Sequence, residues 1–168
     1  MLVTEVLFTM TSTITRNVPP AALVRAINPL ARLLLRSPAH GLLDPTVLLL
    51  HVTGRKTGRS YDIPVGYVSV DDRLILVTVA RWRVNLRGGA DVEVTWRGRR
   101  RLMHALLDED PASVAVVYDS VIEHLGWQKA SRQLGIATPH GHRPTLLELR
   151  VAAQTYDWSV ITLSRPGT

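Results

Sequence analysis

The spacing of apolar residues along the chain changes from helix-like to strand-like near residue 46. Residues 46–53 form a largely apolar run of strand length, and residues 60–70 alternate between apolar and other positions. These two segments predict a pair of strands joined by a turn over the letters GRKTGR. Further strands are predicted over residues 73–79, 92–96, 99–107 and 156–164.

The second strand of this pair presents two different faces. The face expected to join the core carries Tyr61, Ile63, Val65 and Tyr67. The opposite face carries Asp62, Pro64 and Gly66. Because these side chains are short and the proline has no N–H to donate, the opposite face leaves room for a flat group lying against the strand.

Helices are predicted over residues 30–36, 81–87, 110–125 and 145–153. Asn28 and Pro29 supply an N-cap and a first-turn proline for the first of these helices. Gly88 and Gly89 end the second helix, in which Trp82 and Asn85 are three residues apart and share a side.

The order of these elements predicts the class of fold. About six strands follow one another through short connections, and helices stand at the start and after the fifth strand. This order is typical of a mainly β, α+β protein with an antiparallel barrel and flanking helices, rather than of alternating parallel units. Within one domain of ordinary size, residues 1–27 are predicted as an N-terminal extension and helix, and residues 28–168 as the barrel domain.

Composition indicates where in the cell the protein is expected. The 168 residues include no cysteine and no apolar stretch long enough to span a bilayer, so a soluble cytoplasmic protein is expected. The helix over residues 30–36 has leucines on one side and arginines on the other. It is interpreted as a cover for the protein's own core, with peripheral contact to a membrane surface as the alternative.

The net charge of +6 lies entirely in the middle of the chain. Between Arg55 and Arg101 there are eleven basic and five acidic residues, and the remaining charges balance. A bias towards arginine codons explains the choice of arginine over lysine but not this clustering. The segment therefore predicts a negatively charged partner.

The turn after the first predicted strand is the best candidate for binding this negatively charged partner. Gly54 and Gly58 permit close backbone approach, and Arg55, Lys56 and Arg59 add positive charge, which together suit a phosphate group. The order of residues differs from a Walker A loop, because the lysine lies between the glycines and a strand follows. An ordinary exposed hairpin is the alternative.

Other candidate chemistry is weaker. His140 and His142 form a pair without a third ligand nearby in sequence, so no metal site is predicted. No serine lies in a Gly-x-Ser-x-Gly motif, and no catalytic side chain is assigned. The arginines over residues 97–101 lack interleaved aromatic residues, so nucleic-acid binding is not expected.

Two motifs in a fixed order resemble a known family. The stretch TGRKTGR, followed by WRVNLRGGADVEV and preceded more loosely by NPLARLLLRSPAHGLL, is similar to the deazaflavin-dependent nitroreductases and quinone reductases of actinobacteria. The likeness covers roughly residues 28–107. It implies an FMN-binding-like split β-barrel that binds coenzyme F420, a deazaflavin with a phosphate and an oligoglutamate tail. It also implies hydride transfer to a quinone, a nitro compound or another small unsaturated acceptor.

The resemblance implies a role for each matching residue. The phosphate of the coenzyme would lie at the turn, on Gly54, Arg55, Lys56, Thr57, Gly58 and Arg59. The ring system would run beside Ile63, Pro64 and Val65. Trp82 and Asn85 match a Trp-x-x-Asn-Leu signature near the same pocket.

The chain also departs from the family pattern. Only Ala80 and Arg81 separate the preceding strand from Trp82, where a longer loop is usual, and Tyr61 stands where a basic residue is usual. These departures motivate a second hypothesis, a non-catalytic protein of the same fold that carries a lipid, FMN or another anionic planar ligand. FMN as the bound ring and a homodimer both remain open at this point.

Overall fold

The computed structural model describes residues 13–16, 46–55 and 58–167 of the chain. Nine strands lie in these ranges: β1 (Thr15–Arg16), β2 (Val47–Thr53), β3 (Ser60–Gly66), β4 (Val68–Val70), β5 (Arg73–Thr78), β6 (Ala90–Trp96), β7 (Arg99–Asp108), β8 (Ile136–Ala137) and β9 (Ser159–Ser164). The α-helices are α1 (Pro111–Leu125), α2 (Trp127–Leu134) and α3 (Leu146–Tyr156). Short 3-10 helices cover Arg81–Leu86 and Pro139–Gly141.

Seven strands form one antiparallel sheet that curls into a half-barrel. Their order is β3-β2-β6-β7-β9-β5-β4, and every pairing between neighbours is antiparallel. A separate small ribbon pairs β1 with β8. The arrangement confirms the predicted fold class, a mainly β split barrel with flanking helices.

The prediction of a single strand over residues 60–70 is wrong. The backbone amide of Tyr67 donates to the Thr46 carbonyl at 3.0 Å and leaves the ladder, so the chain divides there into β3 and β4. These two strands lie at opposite edges of the sheet. The expected core position of Tyr61 is also wrong, because the residue lies near the outer end of an edge strand and is 43% exposed.

The sheet separates two apolar clusters. The concave face holds an inner cluster that includes Leu48, Leu50 and Tyr67, with Ile63 and Val65 packed against it. The second cluster lies between the convex face and the α-helices and includes Ile14 from the chain start. The half-barrel is therefore stabilised from both sides by buried apolar area.

The helices begin at residues that cap them. Asp110 accepts hydrogen bonds from the amides of Ala112 and Ser113 at the start of α1, as its position before a proline predicts. Thr145 and Glu148 form a capping box at the start of α3.

Two boundaries in the C-terminal half differ from the sequence prediction. The last strand was expected from Tyr156, but α3 continues through that residue and β9 begins only at Ser159. The backbone of Asp157 adopts a left-handed conformation between them, with φ of 53°. Residues 126–143, for which no element was predicted, contain α2 and β8.

Several predictions concern residues outside the described ranges. The helix over residues 30–36, its proposed membrane contact, and Lys56 and Thr57 of the turn all lie there. In the described part of the chain, no helix has both the length and the apolar character needed to span a bilayer.

Candidate functional site

The turn between β2 and β3 is closed by its own backbone. The Gly54 amide donates to the Arg59 carbonyl and the Gly58 amide donates to the Gly54 carbonyl, each at 2.8 Å. Gly58 has a φ of 63°, a left-handed conformation that glycine adopts at no steric cost. Both glycine amides are used inside the turn, so they do not face an anion as expected. An anion at this turn would be bound by side chains.

Arg55 is fixed to the short 3-10 helix, 30 residues further along the chain. Its backbone amide donates to Asn85 Oδ1 at 3.1 Å, and its guanidinium donates to the Arg87 carbonyl at 2.9 Å. Asn85 in turn donates from Nδ2 to the Trp82 carbonyl at 2.9 Å. The structure therefore brings together three of the predicted site residues, Arg55, Trp82 and Asn85.

A buried arginine fastens the 3-10 helix to the rest of the fold. The Arg83 side chain is only 7% exposed. It donates to Glu109 at 3.0 Å, to the Val79 carbonyl at 2.8 Å and to the Asp157 carboxylate. Because Glu109 precedes α1 and Asp157 follows α3, this one guanidinium ties the helix that carries Trp82 to the helical layer.

Glu109 joins the same network to Arg87. Arg87 Nε donates to Glu109 at 2.7 Å, and a second Arg87 nitrogen donates at 3.1 Å. The hydrogen bonds from Arg87, followed by those from Arg83, hold the pKa of Glu109 below its usual value despite partial desolvation. Glu109 is therefore ionised at neutral pH and holds the segment whose carbonyl receives Arg55.

The outer face of β3 carries a polar contact as well as open space. Asp62 Oδ1 lies 2.5 Å from His51 Nδ1, and His51 Nε2 lies 2.9 Å from Thr95 Oγ1. Pro64 is half-buried and Gly66 is exposed on the same face. Of the three residues on this face, Asp62 lines an opening at the turn end and Gly66 lines one at the other end, whereas Pro64 lines neither.

Two openings flank β3. A cavity of about 290 Å³ lies at the turn end, where it reaches Thr53, Ser60 and Asn85 but not Trp82. A cleft of about 360 Å³ lies at the other end, between the strand and α2. Most of its lining is apolar surface, and Thr46, Arg132 and Gln133 line it beside Val47, Gly66, Tyr67, Ile75, Val77 and Leu134. Its apolar lining suits a flat, uncharged group.

One of the two histidines considered as metal ligands, His142, has other partners. His142 Nδ1 lies 2.8 Å from the Pro139 carbonyl, and His142 Nε2 lies 3.3 Å from Glu148. No group of three or more ligand side chains suited to a metal ion occurs within the ranges the structure describes.

Comparison with known proteins decides the family. The model of the F420H(2)-dependent quinone reductase family matches residues 38–133, which is more than half of the chain. The chain belongs to this family. Its members are oxidoreductases that use reduced coenzyme F420, so the predicted enzyme class and coenzyme are confirmed.

Solved structures also resemble the chain. One described as a domain-swapped dimer is 18% identical and covers 87% of this chain and 100% of its own, with a TM-score of 0.45. The conserved hypothetical protein Rv2991 from Mycobacterium tuberculosis is 16% identical and covers 90% of this chain and 84% of its own, with a TM-score of 0.43. No curated protein matches the chain.

The residues at the turn fit the anionic end of an F420 coenzyme. The Arg55 guanidinium is at the surface and forms no ion pair with any carboxylate in the described ranges. The space beside Gly58 is open, because a Cβ built there meets no atom within 4 Å. A cationic side chain held beside open space has the chemistry that a phosphate requires.

The sequence did not identify Arg83, Arg87 and Glu109 as part of this site. A weak signal was present, because Arg83 is three residues before the buried Leu86 and so shares its inward side of the helix. The partners of Arg83 are distant in sequence, and no local pattern indicates them.

Proposed function

We propose that this quinone reductase family member passes hydride from reduced F420 to a small quinone, nitro or other unsaturated acceptor. In this proposal the anionic end of the coenzyme lies on the turn, at Gly54, Arg55, Lys56, Thr57, Gly58 and Arg59. The ring lies beside Ile63, Pro64 and Val65, near Trp82 and Asn85. The bound coenzyme supplies the hydride, so the protein needs no nucleophile or metal of its own.

One observation carries the assignment of the turn. Arg55 is held at its backbone by Asn85 and at its guanidinium by the Arg87 carbonyl, 3.1 Å and 2.9 Å away. A cation fixed in this way loses little conformational entropy when an anion binds. The remaining guanidinium donors then hold the anion and set the position of the attached ring.

The position of β3 supports the ring assignment. β3 is an edge strand, with β2 as its one neighbour in the described sheet. An edge strand presents backbone N–H and carbonyl groups that a planar heterocycle can bind. Half-buried Pro64 offers a flat apolar surface beside them.

The cleft of about 360 Å³ is the proposed acceptor site. It begins at Gly66, where the ring assigned to Pro64 and Val65 would end. Tyr67, Val77 and Leu134 would exclude water from the acceptor and hold its plane against that ring. A pocket of this size and character suits a small apolar acceptor.

Fluorescence titration with coenzyme F420 tests the proposal. Arg55→Ala should raise the dissociation constant at least about tenfold, because it removes a charge-assisted contact. Arg99→Ala, an exposed arginine at the opposite end of the half-barrel, is the matched control and should change it less than about twofold. Equal effects of the two substitutions would show that the turn does not bind the anionic end of the coenzyme. Saturable binding of FMN in place of F420 would reject the coenzyme.

A further inference from the structure

A groove of about 590 Å³ lies on the convex face of the sheet. The α-helices cover this face at Ile75 and Val160, and the groove begins at the next outward positions on the same strands, Arg73 and Thr162. Its lining residues are Asp72, Arg73, His104, Leu106, Thr162, Ser164 and Arg165. It shares none of them with the two openings that flank β3, so the groove is separate from the proposed coenzyme and acceptor sites.

Side chains from three neighbouring strands line the middle of the groove. Ser164 on β9 pairs with His104 on β7. On the other side of β9, Leu74 of β5 pairs with Leu163. Arg73 therefore lies beside Ser164, because residues next to a pair are opposite each other in an antiparallel ladder. Neighbouring strands are about 4.8 Å apart, so a small group seated over Ser164 is within reach of the side chains on both sides.

Several hydrogen-bond donors in the groove are available to a ligand. In the ranges that the structure describes, the Arg73 guanidinium and the hydroxyls of Thr162 and Ser164 form neither hydrogen bonds nor ion pairs. All three residues are at least partly exposed. A ligand in the groove can therefore accept from them without displacing a protein contact.

The charges of the groove favour an anion. Its lining contains two guanidiniums, of Arg73 and Arg165, and one carboxylate, of Asp72. His104 also lines it, but its Nδ1 lies 2.7 Å from Asp91 Oδ1, so its charge is balanced when it is protonated. A surface with an excess of guanidinium groups attracts anions.

The number of donors favours a phosphate group over a carboxylate. A carboxylate has two oxygens, whereas a phosphate monoester has three terminal oxygens and up to two negative charges. Guanidinium groups bind phosphate through paired N–H donors, and each hydroxyl adds one further bond. The two guanidiniums and two hydroxyls of the groove therefore match a phosphate better.

Leu106 gives the groove an apolar wall beside these donors. It pairs with Thr162 and is 58% exposed. Small-molecule sites usually combine apolar walls with a few polar groups, in volumes of about 300–1,000 Å³. The groove therefore has room for an apolar group the size of a ring next to the phosphate.

We propose that this groove binds a phosphate monoester that carries a small apolar group. The phosphate lies over Ser164 and accepts from Arg73 and the neighbouring hydroxyls. The apolar group lies against Leu106. This ligand can be bound at the same time as the coenzyme, because the groove shares no lining residue with the openings at β3.

Titration with phenyl phosphate, followed by amide-resolved NMR spectroscopy of the chain without coenzyme, tests the proposal. The amide signals of Ser164 and Arg165 should shift and reach saturation. Arg73→Gln should raise the dissociation constant obtained from these shifts at least about tenfold, because it removes a charge-assisted contact. Arg99→Gln, which changes an exposed arginine outside the groove, is the matched control and should change it less than about twofold.

Comparison with inorganic phosphate tests the apolar wall. Phenyl phosphate should bind about fivefold more tightly than inorganic phosphate, because its ring is partly buried against Leu106. Leu106→Ser should remove this difference and leave the binding of inorganic phosphate unchanged. Val116→Ser changes an apolar residue on α1 that is 56% exposed, and this control should keep the difference.

Four outcomes would overturn the assignment. The first is the absence of saturable shifts at Ser164, and the second is equal affinity of the wild-type chain for the two phosphates. The third is equal weakening by Arg73→Gln and Arg99→Gln, which would show attraction by the overall positive charge. The fourth is a loss of F420 affinity in Arg73→Gln as large as in Arg55→Ala, which would show that the groove holds the tail of the coenzyme.

Discussion

The backbone amide of Arg55 donates to the side-chain oxygen of Asn85 across 3.1 Å, joining the cationic turn to the 3-10 helix. Asn85→Ala removes this bond and the one from Asn85 to the Trp82 carbonyl. Arg55 should then lose its fixed position, and the dissociation constant for F420 should rise about tenfold. The free energy of unfolding should fall by only about 1–2 kcal/mol, since each bond contributes about 1 kcal/mol.

Titration of the variant by coenzyme fluorescence, beside urea unfolding, separates these two effects. Gln154→Ala removes an exposed amide on α3 and serves as the control. If Asn85→Ala lost stability but bound the coenzyme as tightly as wild type, Asn85 would be structural only.

Buried and exposed arginines should differ in their contribution to stability. Arg83→Met removes the donor to the Val79 carbonyl and one donor to the Glu109 carboxylate. The Arg83 side chain is only 7% exposed, so water replaces these donors poorly. The cost should be about 2–3 kcal/mol. Arg143→Met removes an exposed pair with Asp119, at 2.8 Å, and should cost about 0.5 kcal/mol or less. Urea unfolding of both variants measures the difference, and equal losses would contradict the proposed importance of the Arg83 network.

The capping box of α3 should make stability depend on acid pH. The Thr145 amide, followed by the Thr13 hydroxyl, donates to Glu148 and lowers its pKa from 4.5 to about 2. A carboxyl group whose pKa is lowered by folding stabilises the fold at pH values above its pKa in the unfolded chain. This stabilisation is lost as pH falls from about 4.5 through about 2. The difference in free energy of unfolding between wild type and Glu148→Gln should therefore shrink as pH falls over this range. The decrease should be about 1–2 kcal/mol after allowance for solvent screening.

Urea unfolding of wild type and Glu148→Gln at a series of pH values provides the measurement. Glu123→Gln changes an exposed glutamate on α1 and controls for the loss of one charge. A constant gap between wild type and Glu148→Gln from pH 6 to pH 2 would contradict the pKa assignment.

Filling the cleft at Gly66 should affect the acceptor more than the anionic end of the coenzyme. Gly66 has ordinary backbone angles, and a Cβ built there meets only the Thr46 carbonyl, at 3.6 Å. Gly66→Leu should raise KM for a quinone or nitro acceptor about tenfold, because the new side chain occupies the cleft. The turn lies about 20 Å away along β3, so the dissociation constant of F420 should change less.

Steady-state kinetics with acceptor as the varied substrate checks this prediction. Gly66→Ala is the conservative control and should lie close to wild type. An unchanged KM for every acceptor tested with Gly66→Leu would place the acceptor elsewhere.

Local patterns in the sequence predicted much of the fold. The strands predicted over residues 46–53, 73–79, 92–96 and 99–107 match β2, β5, β6 and β7 of the structure to within two residues. Asp110 predicted the start of α1 because an aspartate before a proline is a local capping signal. The short connections predicted an antiparallel sheet, since parallel strands need long crossovers.

The remaining features depend on contacts between distant residues. The division at Tyr67 follows from its bond to Thr46, and nothing in the alternation of residues 60–70 indicates it. Similarly, Asn85 donates to the Trp82 carbonyl within its own short helix, but its other partner is the Arg55 amide, 30 residues earlier, which no local pattern indicates. The extent of α3 was misjudged because the usual local signal of a helix end is a glycine in the left-handed conformation, and here Asp157 takes that position.

The single residue between β3 and β4 has a consequence for the width of the half-barrel. Tyr67 is the one residue between the first and last strands of the described sheet, so the two edges lie only two peptide bonds apart at that end. The two edges of the sheet can therefore separate only with increasing distance from Tyr67. A molecule that enters between them must therefore be thin where it approaches Tyr67, whatever its length.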